Sequence, residues 1–340
     1  MRLSVLDQST IIAGTSPAAA IRESLALARH AEALGYARYW VAEHHASLSQ
    51  AGTAPEILIA AIAATTSRIR VGSAGVMLPH YASLKVAEQF RVLEAIAPGR
   101  IDLGLGRAPG SDGLTAHALN PLADTAAQHF PAQVRDLLAW VGGESLVEGH
   151  PFRSIIAQPQ GPTRPEVWIL GSSNYGAQVA AHFGLPYCFA HFITDGAGAG
   201  EALSLYRDLY QPSPAWPEPR AAICVWACAA TTGEEAERLF ASRALWRLGR
   251  DRGIYAALPS IEDALAYNYS NSERSRIAAL RERAIIGTGE QVAADLRHLA
   301  ASLGAEEVAI LTTVADPEAR RRSYTLIAEA AGITTTRQAA

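Results

Sequence analysis

The sequence predicts a (β/α)8 TIM barrel with insertions after the fourth and seventh strands. Short strand-like runs alternate with amphipathic helical segments along the whole chain, and eight such runs can be counted. Eight alternating units favour a closed parallel barrel over an open sheet with helices on both faces. Because no linker, repeat or low-complexity stretch divides the chain, we predict one domain over residues 1–332 and a frayed tail at 333–340.

The predicted elements follow one another at the spacing of a β/α repeat. A first helix at about residues 18–34 ends at Gly35, Pro55 opens the second helix, and Pro98 with Gly99 ends the third. The eight strands are predicted at residues 2–6, 37–42, 69–77, 100–105, 167–170, 186–190, 221–229 and 307–312.

Two stretches depart from this repeat. After the fourth strand the chain is irregular over residues 108–127, forms a helix near 132–141, and then crosses a turn-rich stretch to Arg164. The second stretch, at 251–286, contains a tyrosine- and asparagine-rich run at 267–271. Since long insertions in a compact domain commonly carry function, segment 251–286 is predicted to be a mobile flap or, equally, a solvated loop without a role.

Composition and charge argue against several classes of function. No apolar run approaches the roughly 20 residues that a membrane span needs, and a net charge of −4 with no basic stripe argues against nucleic-acid binding. The first residues enter a strand without a signal-type region, which predicts a cytoplasmic protein. Cys188, Cys224 and Cys228 lack metal-type spacing and are predicted to be buried thiols.

The fourth strand ends in a glycine-rich run. In residues 99–110 (GRIDLGLGRAPG), large aliphatic side chains alternate with Asp102, Gly104 and Gly106. If the large side chains face the helices, the glycines face inward and leave room for a flat ligand. Arg107 follows at the strand end, where it can pair with a phosphate, although a lone surface arginine is commoner. The glycine spacing does not match the dinucleotide-binding fingerprint, because no helix begins directly after the glycines.

The fifth strand turns directly into a helix. In residues 167–177 (VWILGSSNYGA), Ser172, Ser173 and Asn174 occupy the first positions after the strand. Exposed N–H groups and hydroxyls at a helix start form an anion site, and the alternative is simple N-capping by one of the serines. With Arg107 one strand away, the phosphate site is the better interpretation.

A histidine pair and a run of small residues end the second and third strands. His44 and His45 suit proton transfer near neutral pH, although a single histidine is more often structural and a metal pair would need a third ligand. The roles of His45 and Glu43 stay open. In residues 71–79 (VGSAGVMLP), small residues let the backbone approach a ligand plane or form an ordinary bulge.

Together these stretches resemble the luciferase-like flavin monooxygenases, the family of bacterial luciferase, and particularly its single-chain bacterial branch. The similar stretches run in family order from the first strand to the fifth, at residues 3–8 (LSVLDQ), 39–45 (YWVAEHH), 69–79 (IRVGSAGVMLP), 87–90 (AEQF), 98–110 (PGRIDLGLGRAPG) and 170–173 (LGSS).

The resemblance implies FMN at the C-terminal ends of the strands. It implies a cis peptide bond between Ala74 and Gly75 under the flavin ring, Met77 beside the ring, and His44 as the group that transfers a proton to or from the flavin peroxide. Gly106 stands where luciferase has a cysteine near the flavin, so light emission and long-aldehyde specificity are not implied. The implied phosphate ligands are Arg107, Ser172, Ser173 and the amides near Asn174 and Gly176.

The implied reaction uses reduced FMN from a separate NAD(P)H:flavin reductase. The reduced flavin reacts with O2 to give a C4a-peroxyflavin, which oxygenates a small organic substrate. The resemblance also implies a homodimer, and the substrate is not predicted. The alternatives are an F420-dependent oxidoreductase of the same fold, a non-catalytic flavin-binding protein, and a metal-dependent hydrolase built on His44 and His45.

Overall fold

One parallel sheet dominates the computed structural model, which describes residues 1–333. Within that range the strands are β1 (Arg2–Asp7), β2 (Arg38–Val41), β3 (Arg70–Met77), β4 (Ile101–Gly106), β5 (Glu166–Gly171), β6 (Tyr187–Phe189), β7 (Ala221–Ala229), β8 (Ile285–Gly287) and β9 (Glu307–Leu311). Strands β1 to β7 pair with one another in chain order. Strand β9 lies between β7 and β1 and pairs with both. The ring therefore closes, and the predicted eight-stranded barrel is confirmed.

The short strand β8 was not predicted. It lies outside the ring and, within residues 1–333, pairs only with the last part of β7, where Ala227 is opposite Ile285 and Ala229 is opposite Gly287. Three residues are too few to show an alternating pattern, so no period in the sequence indicates this strand.

Helices surround the ring and fill both insertions. Segment 108–127, predicted to be irregular, contains two short helices, so that prediction was wrong. Segment 251–286 contains two helices and the start of β8, and its role as a mobile flap stays a prediction. The helices are α1 (Pro17–Leu34), α2 (Pro55–Thr65), α3 (Ser83–Ile96), α4 (Gly113–Leu119), α5 (Ala123–Gln128), α6 (Phe130–Gly142), α7 (Asn174–His182), α8 (His191–Thr194), α9 (Ala199–Asp208), α10 (Gly233–Asp251), α11 (Ile261–Ala266), α12 (Asn271–Glu282), α13 (Gly289–Leu303) and α14 (Pro317–Ala331).

Local signals at the ends of these helices explain where they begin and stop. Gly35 ends α1 in the left-handed conformation, as predicted, with φ of 88°. Helix α12 begins with a capping box, in which the Ser270 hydroxyl accepts from the Glu273 amide and the Glu273 side chain accepts from the Ser270 amide. This Ser-x-x-Glu pattern is a signal in the sequence that the interpretation of 251–286 as a flap or loop overlooked.

Side chains from the strands pack into two separate cores. Ile101, Leu103 and Leu105 of β4 face outward and pack in the layer between the strands and the helices, as predicted. Trp40 and Trp168 lie inside the ring with their centroids 5.2 Å apart. The small side of β4 therefore faces the interior of the barrel.

A buried ionic cluster fills the N-terminal end of the ring. The Arg38 guanidinium lies 2.8 Å from Asp102, 2.8 Å from Glu166 and 2.9 Å from Glu307. Although burial opposes its charge, the three carboxylates raise the pKa of Arg38 above its ordinary value. With this end occupied by protein, the open end of the barrel is the one where the strands finish.

The cysteines, the length of the helices and the C-terminal tail complete the description of the fold. Cys188, Cys224 and Cys228 are buried free thiols, as predicted. No helix in residues 1–333 is long and apolar enough to cross a bilayer. The predicted frayed tail lies outside the described residues, apart from Ile333.

Candidate active site

A cavity of about 410 Å3 opens at the C-terminal end of the barrel. In barrels of this type, ligands bind at this end because the loops after the strands are free to vary there. Eight of the nine residues predicted as functional line this cavity: His44, Ala74, Gly75, Met77, Arg107, Ser172, Ser173 and Gly176. Asn174 alone of that set is not in the lining.

One wall of the cavity is made by backbone and very small side chains. The Ala74–Gly75 peptide bond is cis, as the resemblance implied. A Cβ atom at Gly75 would lie 2.7 Å from the Gly104 carbonyl oxygen and 2.8 Å from Leu170 Cδ1, so only glycine fits. At Gly106 a Cβ would lie 3.2 Å from Met77 Sδ. Strands β3 and β4 therefore present a surface from which no large side chain projects, as a planar ligand requires.

Positive charge and free hydrogen-bond donors border the same wall. The Arg107 guanidinium carbon lies 4.0 Å from the centre of the Tyr175 ring, which holds the arginine by a cation–π contact at the cavity edge. Ser173 is the N-cap of α7, yet its side chain makes no capping hydrogen bond. The alternative of simple N-capping by Ser173 is therefore not realised, and the first amides of α7 are available to an anion.

Asn174 is placed differently from the other predicted phosphate ligands. Its side-chain amide donates to Glu201 Oε1 of α9 at 2.5 Å, outside the cavity. Only its backbone amide, at the first position of α7, is available for the role implied by the resemblance.

His44 lines the cavity from the end of β2. Its backbone N–H donates to the Gly52 carbonyl at 2.9 Å, and its Nδ1 is buried with no hydrogen-bond partner in residues 1–333. Burial, followed by the nearby Arg250 and His45, lowers the pKa of His44 to about 4. The imidazole is therefore neutral at pH 7 and can accept a proton.

Glu43 and His45 turn away from the cavity and form a buried support. Glu43 Oε1 accepts from His45 Nε2 and from the Tyr81 hydroxyl, each at 2.7 Å, and Glu43 Oε2 accepts from the Met77 amide at 3.1 Å. This carboxylate links the end of β2 to the end of β3. His44 and His45 thus point into different surroundings, and no group of three or more His, Cys, Asp or Glu side chains in the described part of the chain is arranged to hold a metal ion.

Some cavity residues were not predicted from the sequence. Tyr175, Phe130, Phe192 and Ile193 supply apolar surface, and Arg250 reaches the cavity from α10. Tyr175 lies within residues 167–177, where the predicted anion site rests on the neighbouring Ser172, Ser173 and Asn174. Arg250 lies about 140 positions beyond Arg107 in a segment without a recognisable motif, and only the closed ring brings it to the same opening.

The residues present fit a flavin nucleotide. A flat wall without side chains suits a planar ring system, and an arginine beside an uncapped helix start suits a phosphate. Two buried thiols, Cys188 and Cys224, also line the cavity, and burial raises the pKa of each, so neither is a thiolate at pH 7.

Sequence comparisons agree with this geometry. The family described as luciferase-like monooxygenase matches residues 1–307. The uncharacterised protein YwcH of Bacillus subtilis is 44% identical over 329 residues, covering 96% of this chain and 98% of its own length. An N-acetyl-S-alkylcysteine monooxygenase of Bacillus subtilis is 37% identical over 333 residues, covering 97% and 98%.

Structural comparisons give the same result for the fold. The crystal structure of apo-MsnO8 is 38% identical, with a TM-score of 0.90, and the match covers 98% of this chain and 99% of that one. Two more distant structures share the fold alone. These are a 3,6-diketocamphane monooxygenase from Pseudomonas putida in complex with FMN (TM-score 0.70, 18% identity, 97% of both chains) and an F420-dependent secondary alcohol dehydrogenase (TM-score 0.67, 12% identity, 98% of this chain and 99% of that one).

Proposed function

The chain belongs to the luciferase-like monooxygenase family, and we propose that it uses reduced FMN and O2 to oxygenate a small organic substrate. The observation that carries this proposal is the pairing of a flat wall with an anion site in one cavity. Ala74, Gly75 and Gly106 leave room for the ring, while Arg107 and the start of α7 border the same space.

The chain's contribution is to bind the cofactor, exclude water and move a proton. Arg107, Ser172, Ser173 and the amides of Asn174 and Gly176 would hold the phosphate, and Ala74, Gly75 and Met77 would lie against the ring. When bound, reduced flavin supplies the activation of O2. Phe130 and Phe192 would shield the site from water, which strengthens the electrostatic contacts inside it.

His44 is the group that we assign to proton transfer. Its low pKa leaves it neutral at pH 7, and Nδ1 has no partner among the described residues, so the ring is free to take a proton at that atom. Because the geometry already separates His44 from the Glu43–His45 support, the two histidines would have different roles.

Sequence similarity to named relatives favours FMN over F420 as the cofactor. The 37% identical relatives are named as monooxygenases, whereas the F420-dependent structure is only 12% identical. The relative that acts on N-acetyl-S-alkylcysteine also suggests a thioether amino acid as a first substrate to try. We further propose a separate NAD(P)H:flavin reductase as the source of reduced FMN and a homodimer as the assembly.

The test is incorporation of labelled oxygen. The protein is supplied with FMN, a flavin reductase and NADH under 18O2, with N-acetyl-S-benzylcysteine as the first substrate, and products are analysed by mass spectrometry. We expect product carrying one labelled oxygen that disappears without FMN. Substrate-dependent oxidation of reduced F420, with no labelled product in the FMN arm, would favour the dehydrogenase, and FMN binding without oxygen transfer to any member of a wider substrate panel would favour a binding protein.

A further inference from the structure

A second, smaller cavity of about 210 Å3 adjoins the first. Gln8, Phe192, Ile193 and Arg250 line both, so the two spaces meet at these four residues. The other residues that line the second cavity come mainly from α10 and from the segment after this helix. The family resemblance and the predicted FMN site assign no role to this space.

Three arginines of α10 face this second cavity. Arg243, Arg247 and Arg250 are four and three positions apart, which places them on one face of the helix. All three line the cavity. Three guanidinium groups at such spacing repel one another, and such an arrangement is unfavourable unless negative charge lies between them.

Arg243 is the most unusual of the three. It is only 5% exposed, yet it makes no ion pair and no side-chain hydrogen bond with any residue in 1–333. Its guanidinium packs over the Trp226 ring at 4.1 Å, and burial together with Arg247 lowers its pKa to about 9. Burying a charge without a partner is costly, so a buried arginine of this kind indicates that its partner comes from outside the chain.

The neighbouring groups do not supply that partner. Arg247 Nη2 lies 3.3 Å from Asp195, but its Nε is buried and unbonded among the described residues. Arg250 stacks between Trp246 and Tyr255, and its buried Nη1 also lacks a partner there.

The one carboxylate that lines the second cavity within residues 1–333 is already engaged. Asp251 Oδ2 accepts from Arg276 at 2.7 Å. Asp195 is the one carboxylate that pairs with any of the three arginines within residues 1–333, so the cluster keeps an excess of positive charge.

We propose that Arg243, Arg247 and Arg250 bind the carboxylate of the organic substrate. The proposal rests on the proposed function and adds the substrate class: a small carboxylic acid whose oxidisable end extends past Arg250 into the larger cavity beside His44. Guanidinium groups suit a carboxylate because their N–H donors match its two oxygens.

The phosphate of the cofactor is the other anion that the cluster could attract. Arg107 and the start of α7 follow β4 and β5, whereas α10 follows β7, so the two positive regions belong to different parts of the barrel mouth. One FMN carries one phosphate, which leaves the second region for the substrate. The experiment separates the two sources by measuring FMN and carboxylate binding independently.

The test is calorimetric titration with matched charged and uncharged ligands. N-acetyl-S-benzylcysteine and benzoate are compared with N-acetyl-S-benzylcysteine methyl ester and benzamide, in FMN-saturated and in FMN-free protein. The variant is Arg243→Gln. The matched control is Arg238→Gln on the same helix, whose side chain is 59% exposed and paired with Glu262. FMN is titrated separately into each protein.

We expect each acid to bind at least about tenfold more tightly than its uncharged counterpart, and Arg243→Gln to lose about tenfold of acid affinity. FMN affinity should be unchanged in Arg243→Gln, and both affinities unchanged in Arg238→Gln. Arg243→Gln should melt no lower than the wild type, because the charge that it removes makes no ion pair within residues 1–333.

Three outcomes would overturn the proposal. They are equal binding of acids and uncharged counterparts by the wild type, absence of acid binding, and loss of FMN affinity in Arg243→Gln, which would make the cluster a phosphate site. The wild-type comparison needs no variant and so survives any folding defect. Failure of the wild type to bind FMN, with acid binding intact, would instead remove the proposed function and leave the carboxylate site standing.

Discussion

The buried carboxylate of Glu43 stabilises the wall of the cavity. Glu43 is fully buried, and its two oxygens accept from His45, from Tyr81 and from the backbone of Met77. Such a carboxylate costs free energy to bury unless all its acceptor sites are used. The sequence alone left the role of Glu43 open because its partners come from three different segments.

Glu43→Gln should destabilise the protein and loosen Met77. A glutamine replaces one carboxylate oxygen, which accepts hydrogen bonds, by an NH2 group, which can only donate them. At least one of the three donors, from His45, Tyr81 or Met77, would then face another donor. We expect the free energy of unfolding, measured by urea denaturation, to fall by about 1–3 kcal/mol. The control Glu144→Gln, at a side chain 72% exposed, should change it by less than about 0.5 kcal/mol. Equal effects of the two changes would contradict the support role.

His44 should make stability depend on acid pH. Its pKa is about 4 in the folded protein and 6.5 as the ordinary value, so both states are neutral above pH 6.5. As pH falls from 6.5 to 4, the unfolded chain binds a proton that the folded chain does not, and the free energy of unfolding decreases. Below pH 4 both states are protonated and the loss is complete.

His44→Gln should remove that dependence. Between pH 7 and pH 4 its free energy of unfolding should fall by about 2 to 3 kcal/mol less than that of the wild type. Urea denaturation at several pH values gives the difference, in which other titrating groups cancel. Parallel pH curves for the two proteins would mean that His44 titrates normally and is not the neutral group assigned here.

At the scale of elements, the close approach of β3 and β4 creates the wall of the cavity. The Ser73 hydroxyl donates to the Gly104 carbonyl at 2.9 Å and accepts from the Gly104 amide at 3.0 Å. A Cβ at Gly104 would collide with the Ser73 carbonyl oxygen and lie 2.8 Å from Leu170 Cδ1. Glycine at this position is therefore required by the neighbouring strand and by β5.

Gly104→Ala should separate these strands. We expect a loss of about 1–3 kcal/mol in the free energy of unfolding, because the added methyl group cannot be accommodated without moving backbone. The control is Gly113→Ala at the start of α4, where a Cβ would meet nothing within 4 Å. That change should leave stability equal or slightly higher, since alanine favours the helix. An unchanged Gly104→Ala protein would show that the approach of β3 and β4 is not tight.

The elements also show where sequence reasoning succeeds and where it stops. The alternation in β4 predicted its outward and inward faces correctly, because the two-residue period is a local property of a strand. The predicted site residues came from strand ends, which a barrel brings together by topology alone. Helices α4 and α11 are only seven and six residues long, too short for a helical period to appear.

In the whole molecule, one end of the barrel is filled by a buried ionic cluster and the other end contains the cavity. The N-terminal end is filled by Arg38 and its three carboxylates, and the C-terminal end contains the cavity with Arg107 on one part of its rim and Arg250 on another. The side-chain partners of such buried charges lie far apart in the sequence, so no local pattern predicts them. The three arginines of α10 lie on one helix and were missed for a different reason: only the closed ring shows that their face of the helix borders a cavity.

The proposed function requires that one cavity hold FMN by its phosphate beside a flat wall. The most direct measurement is the affinity of the wild type and of Arg107→Gln for FMN and for riboflavin, which lacks the phosphate. We predict that the wild type binds FMN at least about tenfold more tightly than riboflavin and that Arg107→Gln loses most of this preference. Equal affinity of the wild type for the two flavins, or an undiminished preference in Arg107→Gln, would show that the cavity does not hold FMN by its phosphate.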